Sequence, residues 1–145
     1  MKTLILYYSY ASHTKTIAEA LAAKENADIT EIKGEKRLGK LKAYSLGCLA
    51  ALGGKPWPIQ PLDTDLSAYD RFVLLAPVWA GNPPPFVNSL WELLPEGKTI
   101  AMKMVSASGQ SRCEQKMEAQ LQARGCVLES FEDIKAKRSR AHSAL

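Results

Sequence analysis

The stretch that decides the fold is Leu4-Ile5-Leu6-Tyr7-Tyr8-Ser9-Tyr10-Ala11-Ser12-His13-Thr14-Lys15-Thr16-Ile17-Ala18-Glu19-Ala20-Leu21. An apolar strand runs into a hydroxyl-lined turn, and the turn opens a helix. That order brings backbone N–H groups, hydroxyls and the positive end of a helix dipole to one point, which suits a phosphate. No acid precedes Glu19 in the helical segment, so no carboxylate competes for its N-terminus. A phosphate there gains about 1–2 kcal/mol from the dipole, besides charge-assisted hydrogen bonds. A Ser/Thr helix cap without a ligand has the same appearance, so the turn needs support from the rest of the chain. His13 reads as an exposed loop residue offering its backbone N–H, not as an acid or base.

Working outward, strand and helix patterns alternate to the end of the chain, the signature of a parallel sheet covered by helices. Thr3 to Tyr8 is the first strand, apolar throughout as a doubly covered strand should be. A helix is expected from Thr14 to Lys24, then a short polar edge strand from Ile29 to Lys33. Leu38, Leu41, Ser45, Cys48, Leu49 and Leu52 recur at near-heptad intervals, predicting an amphipathic helix stopped by Gly53-Gly54. Trp57 sits in an irregular connection between two prolines. Arg71 to Ala76 is a buried third strand, and Pro83 to Pro85 introduces a helix with Val87, Leu90, Trp91 and Leu94 on its buried face. Thr99 to Val105 is the fourth strand. A helix from Arg112 to Arg124 ends at Gly125, and Cys126 to Phe131 is the fifth strand. The expectation is one domain over residues 1–145: an α/β, three-layer, doubly wound five-stranded parallel sheet. Right-handed crossovers make strand order 2-1-3-4-5 one of few solutions.

Composition narrows the class. The chain has 145 residues, 46% hydrophobic and 23% charged, which excludes a disordered polymer and allows a well-buried core. Apolar runs fall far short of the roughly 20 residues a membrane span needs. Met1-Lys2 leads straight into a strand with no signal-peptide layout. Cys48, Cys113 and Cys126 are scattered, with no C-x-x-C spacing, so neither a disulfide framework nor a metal site is expected and a reducing cytoplasm fits best. The net charge of +4 concentrates in the terminal run Lys135-Ala136-Lys137-Arg138-Ser139-Arg140, read as a solvated tail. No helix-turn-helix pattern, zinc knuckle or aromatic interleaving points to nucleic acid.

Three loops follow strands one, three and four. Ser9, Tyr10, Ala11, Ser12, His13 and Thr14 form the first. Pro77, Val78, Trp79, Ala80, Gly81 and Asn82 form the second, which leads into Pro83-Pro84. Ser106, Ala107, Ser108 and Gly109 begin the third. The first loop resembles the Ser/Thr-rich phosphate loop of the flavodoxin family, with Ser9, Ser12 and Thr14 where that family places its hydroxyls. The second resembles the Trp-x-Gly-Asn-Pro-Pro-type loop that lies against the flavin ring. The resemblance spans Lys2 to Phe131 and implies strand order 2-1-3-4-5, with FMN at the switch between strands one and three. Trp79, in a Gly/Pro loop poorly placed for the core, would supply a flat π surface and the residues through Asn82 backbone amides. By the same resemblance the third loop would wrap the pyrimidine side of the ring. Trp91, at core spacing on a helix, reads as structural.

The chain departs from that family in three ways. The third loop carries no aromatic residue, which leaves one flavin face open to a substrate or a neighbouring subunit. Electron-shuttling flavodoxins are strongly acidic, whereas this chain is basic and lacks the surface that drives their potential low. The segment Ile134 to Leu145 has few apolar anchors where the family usually places a covering helix, leaving part of a sheet face in need of cover. FMN carries the redox chemistry in such proteins, and no side chain stands out here as an acid–base catalyst. The resemblance therefore implies electron transfer, or a small NAD(P)H-linked oxidoreductase of quinone-reductase type. A redox protein or a small-molecule electron acceptor would be the partner. The alternative is a binding or regulatory module that keeps the fold without the cofactor. A receiver domain would need acids where Tyr7-Tyr8-Ser9 stands, and a dinucleotide-binding domain needs G-x-G-x-x-G there.

Overall fold

Leu4, Ile5 and Leu6 are fully buried, because β1 (Thr3–Tyr7) lies inside a sheet covered on both faces. The computed structural model describes residues 2–10, 12–35, 39 and 43–136. β1 leads into α1 (Ser12–Glu25), which starts two residues before the expected point, and then into β2 (Asp28–Glu31). β3 (Arg71–Pro77), β4 (Thr99–Ser106) and β5 (Val127–Lys135) complete a five-stranded sheet of order β2-β1-β3-β4-β5. All four strand pairs are parallel. The expected doubly wound architecture is thus present.

The two faces are unequal. One buries Leu4, Leu6, Phe72, Leu74, Ile100, Met102 and Met104 under Val87, Leu90, Trp91, Leu94, Met117 and Leu121. The other buries Ile5, Tyr7, Val73, Leu75 and Ala101 under α1, through Ile17, Ala18, Leu21 and Ala22. Beyond α1 this second face becomes polar towards β5. Lys103 pairs with Glu132 at 2.7 Å and Arg71 with Glu129 at 2.7 Å, both partly exposed. Such pairs contribute about 0–1 kcal/mol; their effect is to let this part of the sheet meet water. The part of the sheet face for which cover was expected is thus polar along β4 and β5. The basic run from Lys137 onward lies outside the described residues.

Three elements differ from their expected form. β5 continues four residues past Phe131, pairing with Lys103 to Ser106 of β4, and Glu132 in that extension is held by Lys103 across the ladder. A bulge between Ile100 and Ala101 adjusts the register as β5 is extended. The helix after Pro84 is a single turn, α3 (Pro85–Asn88), given that the next carbonyls accept from three residues on: Leu90 N–H to Val87 O and Leu93 N–H to Leu90 O, each 2.9 Å. The buried positions still hold, with Val87, Leu90, Trp91 and Leu94 at most 5% exposed. In the amphipathic stretch a π-helical turn, Ala43–Gly47, passes into α2 (Cys48–Leu52), which Gly53 ends as expected. Leu38 and Leu41 lie outside the described residues. The fourth helix, α4 (Glu114–Ala123), buries Met117 and Leu121.

β2 is tied to the sheet by side chains as well as backbone. The Tyr7 hydroxyl donates to Glu31 Oε1 at 3.0 Å and the Tyr69 hydroxyl to Asp28 Oδ2 at 2.6 Å. Burial, then the hydrogen bond to Glu31, pushes the Tyr7 phenol from 10.0 up to about 12. The hydrogen bond to Asp28, followed by burial, raises that of Tyr69. Below the unfolded value both phenols are protonated in either state and their contribution is complete. As pH rises the unfolded phenol ionises first, so stability falls. Denaturant unfolding should therefore show stability dropping between about pH 10 and about pH 12, with a smaller drop in Tyr7→Phe. Equal slopes would refute the assignment. Trp91, whose Nε1 donates to Asn88 Oδ1 at 3.1 Å, is 5% exposed. Trp91→Ala should lose about 3–5 kcal/mol in the same measurement.

Candidate cofactor site

Because β1, β3 and β4 are adjacent and parallel, the loops leaving their carboxyl ends share one edge of the sheet. Contacts between the loops confirm that they are neighbours. The Trp79 ring lies edge-on to Tyr8 and to Tyr10, each with centroids 6.0 Å apart. Val78 N–H donates to Val105 O at 3.2 Å, and Arg112 N–H donates to Gly81 O at 2.8 Å. The first and second loops meet through aromatic rings, the second and third through backbone.

In the first loop, Ser9 Oγ accepts from the Lys15 N–H at 3.4 Å, so this hydroxyl sits at the start of α1. No acid occupies the first turn of that helix. Ser12, His13 and Thr14 belong to that turn rather than to the loop, and Thr14 is 3% exposed. Ala11 lies outside the described residues. Ser9 and Ser12 remain accessible at the helix N-terminus, while the Thr14 side chain faces inward.

The second loop is a tight reversal. Trp79 N–H donates to Asn82 O at 2.8 Å and Asn82 N–H returns to Trp79 O at 3.0 Å. Between them Ala80 has φ 52° and Gly81 φ 81°, the left-handed pair of a type I′ turn. Asn82 is buried and closes the turn, with Nδ2 donating to Ala80 O at 3.0 Å and Oδ1 accepting from Lys116 Nζ at 3.1 Å. The amide of Asn82 is therefore committed to Trp79. Those of Ala80 and Gly81 donate to no group among the described residues. Trp79 is not free-standing: it is half-buried against the core, and a Cβ on Gly47 would come within 2.5 Å of its ring. The indole needs the side-chain space that Gly47 leaves.

The third loop holds itself. Ser106 Oγ accepts from the N–H groups of Gly109 (2.9 Å) and Gln110 (3.2 Å), and Ser108 Oγ from Gln110 (3.3 Å). Gly109 has φ 72°, and its absent Cβ would meet Lys135 Cβ at 3.0 Å. Between this loop and the second lies a cleft of about 630 Å³, within the roughly 300–1,000 Å³ typical of ligand sites. Val78, Ala80, Gly81, Ser106, Ala107 and Ser108 line it, as expected, and so do Leu52, Gln110, Ser111 and Arg112. Ser111 Oγ is buried and has the Cys113 thiol as its neighbour; among the described residues it meets no nitrogen or oxygen partner, which leaves it capacity to serve an occupant. Pro77, Trp79, Asn82 and Gly109 stand behind the lining as its supports. An apolar wall, two available amides and the Ser111 hydroxyl suit a flat ring with polar atoms on one edge, and α1 suits an anion beside it.

Gln110, Ser111 and Arg112 continue the third loop and could have been found by extending it to the next helix. Leu52 had the opposite signal. The amphipathic pattern placed Leu49 and Leu52 inward, yet Leu46, Leu49 and Leu52 are 52%, 66% and 56% exposed, while Gly47, Ala50 and Ala51 are buried. Among the described residues no group of His, Cys, Asp and Glu could hold a metal.

No protein-family model matches this sequence, and no curated protein does. Solved structures do. A flavoprotein from Lactobacillus acidophilus NCFM, in complex with FMN, is 26% identical with a TM-score of 0.71, over 90% of this chain and 91% of its own. A candidate flavoprotein from Bacteroides eggerthii DSM 20697 superposes with a TM-score of 0.79 at 18% identity, covering 99% and 94%. Oxidised flavodoxin 2 from Bacillus cereus gives 0.57 at 18% identity, covering 99% and 91%. The likeness extends over nearly the full length of each chain. The chain has a flavodoxin-like fold.

Proposed function

We propose that this chain binds FMN at the carboxyl edge of its sheet and acts as a redox protein, either in electron transfer or as a small NAD(P)H-linked oxidoreductase. The observation that carries this reading is a cleft between the second and third loops, lined in part by Ser111, with the second loop joined through Trp79 and Tyr10 to the first loop and its acid-free helix N-terminus. FMN, when bound, supplies the electron chemistry. Ser9, Ser12 and the first amides of α1 hold its phosphate. The Ala80 and Gly81 amides and Ser111 Oγ serve the polar edge of the ring, while Leu52 and Val78 exclude water from its apolar side. Trp79 braces the turn from behind and joins it to the first loop.

The electron acceptor is a redox protein or a small molecule. The free thiols of Cys48, Cys113 and Cys126 suit a reducing cytoplasm. A second reading, a module without cofactor, draws on Asn82, Ser106 and Ser108, whose side chains already serve the protein's own loops.

The absorption spectrum of the purified protein, with an FMN titration, separates these readings. Bound flavin is expected, and a colourless protein that takes up no FMN would leave only the second. Turnover of NAD(P)H with a quinone then distinguishes oxidoreductase from carrier. Trp79→Ala should weaken FMN binding about tenfold, the scale of one aromatic contact. Unchanged affinity would show that the indole does not support the site.

Ala80 offers an independent check. An L-residue in the left-handed region costs roughly 1–2 kcal/mol, and such strain persists where function fixes the backbone. Ala80→Gly should stabilise the protein by about 1 kcal/mol in urea unfolding. Gly81→Ala should destabilise it, given φ 81° and Arg112 carbons 3.2–3.3 Å from the new Cβ. A neutral Ala80→Gly would mean the turn stores no strain.

A further inference from the structure

The lining of the cleft carries one cation, Arg112, that no group among the described residues pairs. Arg112 follows the third loop, donates its backbone N–H to Gly81 O at 2.8 Å, and lines the cleft beside Gly81. The stem of the side chain lies on the type I′ turn. An added Cβ at Gly81 would meet Arg112 Cβ, Cγ and Cδ at 3.2, 3.2 and 3.3 Å, so glycine there lets the arginine lie flat against the turn. Among the described residues the guanidinium has no ion pair and no hydrogen bond. Glu114, two residues on, is exposed and does not pair with it. Lys116 is held by Asn82, and Lys135 packs its stem beside Gly109, which adds positive charge to the same rim.

We propose that Arg112 is the charge-compensating residue of this cleft, stabilising the negative charge that a bound flavin acquires on reduction. The inference rests on the FMN reading above. When the ring takes up two electrons and one proton it gains one net negative charge. A neighbouring guanidinium then favours the reduced form over the oxidised one, and the midpoint potential rises. The side chain is exposed, so water weakens the attraction without removing it. Backbone contacts hold the base of the side chain, and its stem packs on Gly81. Little side-chain freedom therefore remains to be lost when the anion forms.

The test is a spectroelectrochemical titration of the FMN-bound protein, with dithionite as the two-electron reductant oxidised to sulfite. Wild type is compared with Arg112→Gln, Arg112→Lys and the distant exposed control Lys24→Gln, alongside FMN dissociation constants for the oxidised state. Arg112→Gln should lower the preference for reduced over oxidised flavin about tenfold, which for a two-electron couple is about 30 mV. Arg112→Lys should keep most of the wild-type potential, and Lys24→Gln should not move it, since Lys24 is in the last turn of α1, at the end away from the first loop. An unchanged midpoint in Arg112→Gln with FMN bound overturns the proposal, and so does an equal shift in Lys24→Gln. Failure of the wild type to bind FMN removes the reading beneath it, and is recognised before any potential is measured.

Discussion

The β1–β3 ladder is the constraint on which the rest depends. Its register, from Thr3 opposite Arg71 to Tyr7 opposite Leu75, makes strands distant in sequence end at the same height. Tyr8 then emerges beside the second loop, and its ring meets Trp79. A one-residue slip would reverse every side chain on β1, carrying Leu4 and Leu6 into the core under α1 and Ile5 into the other, so that both packed cores would misfit. Burial on both faces leaves no such alternative. The same registration passes through β3 to β4 and delivers Ser106 to the other side of Pro77. The cleft is thus a consequence of how three apolar strands align, with no chemistry of its own required to create it.

What chemistry the site has comes from the difference between polar groups the loops use and those they leave. Ser106, Ser108 and Asn82 turn their side chains onto neighbouring backbone, which fixes loops that would otherwise lose entropy on meeting a ligand. Ser111 Oγ, the amides of Ala80 and Gly81, and the Arg112 guanidinium are left over, and they are gathered around one space. The under-satisfied Ser111 Oγ and the left-handed Ala80 make this edge of the sheet the least self-sufficient part of the described fold.

The succession of strands and helices and the three loops were legible in the sequence because strong periodicity and loop punctuation rest on local physics, whereas the strand order came with the resemblance carried by the first two loops. Val73, Leu75, Leu90 and Trp91 are buried where pattern alone placed them. Less legible was anything decided by a partner distant in the chain. The extension of β5 rests on its pairing with Lys103 to Ser106 of β4, a partner that cannot be read from β5 itself. Trp79 looked free because its loop is rich in glycine and proline, whereas the space it fills is made by Gly47, thirty-two residues earlier. Arg112 was counted as the first residue of a helix, so its position against Gly81 had no local signal.

The inward face of α2 follows from that same tryptophan. Gly47, Ala50 and Ala51 are small enough to let the indole and the sheet approach, so the bulkier Leu46, Leu49 and Leu52 must turn outward. A π-helical turn at Ala43–Gly47 fits this reversal, since such turns re-aim side chains and recur at functional sites. Single exposed leucines are ordinary. Three in one stripe, the last of them on the wall of the cleft, form an apolar border where water is easily displaced. An apolar ring entering the cleft would recover part of what these side chains lose to solvent, at about 25 cal/mol per Å² covered. The leucines that seemed to be core are therefore better understood as the edge of the site, set there by the tryptophan behind it.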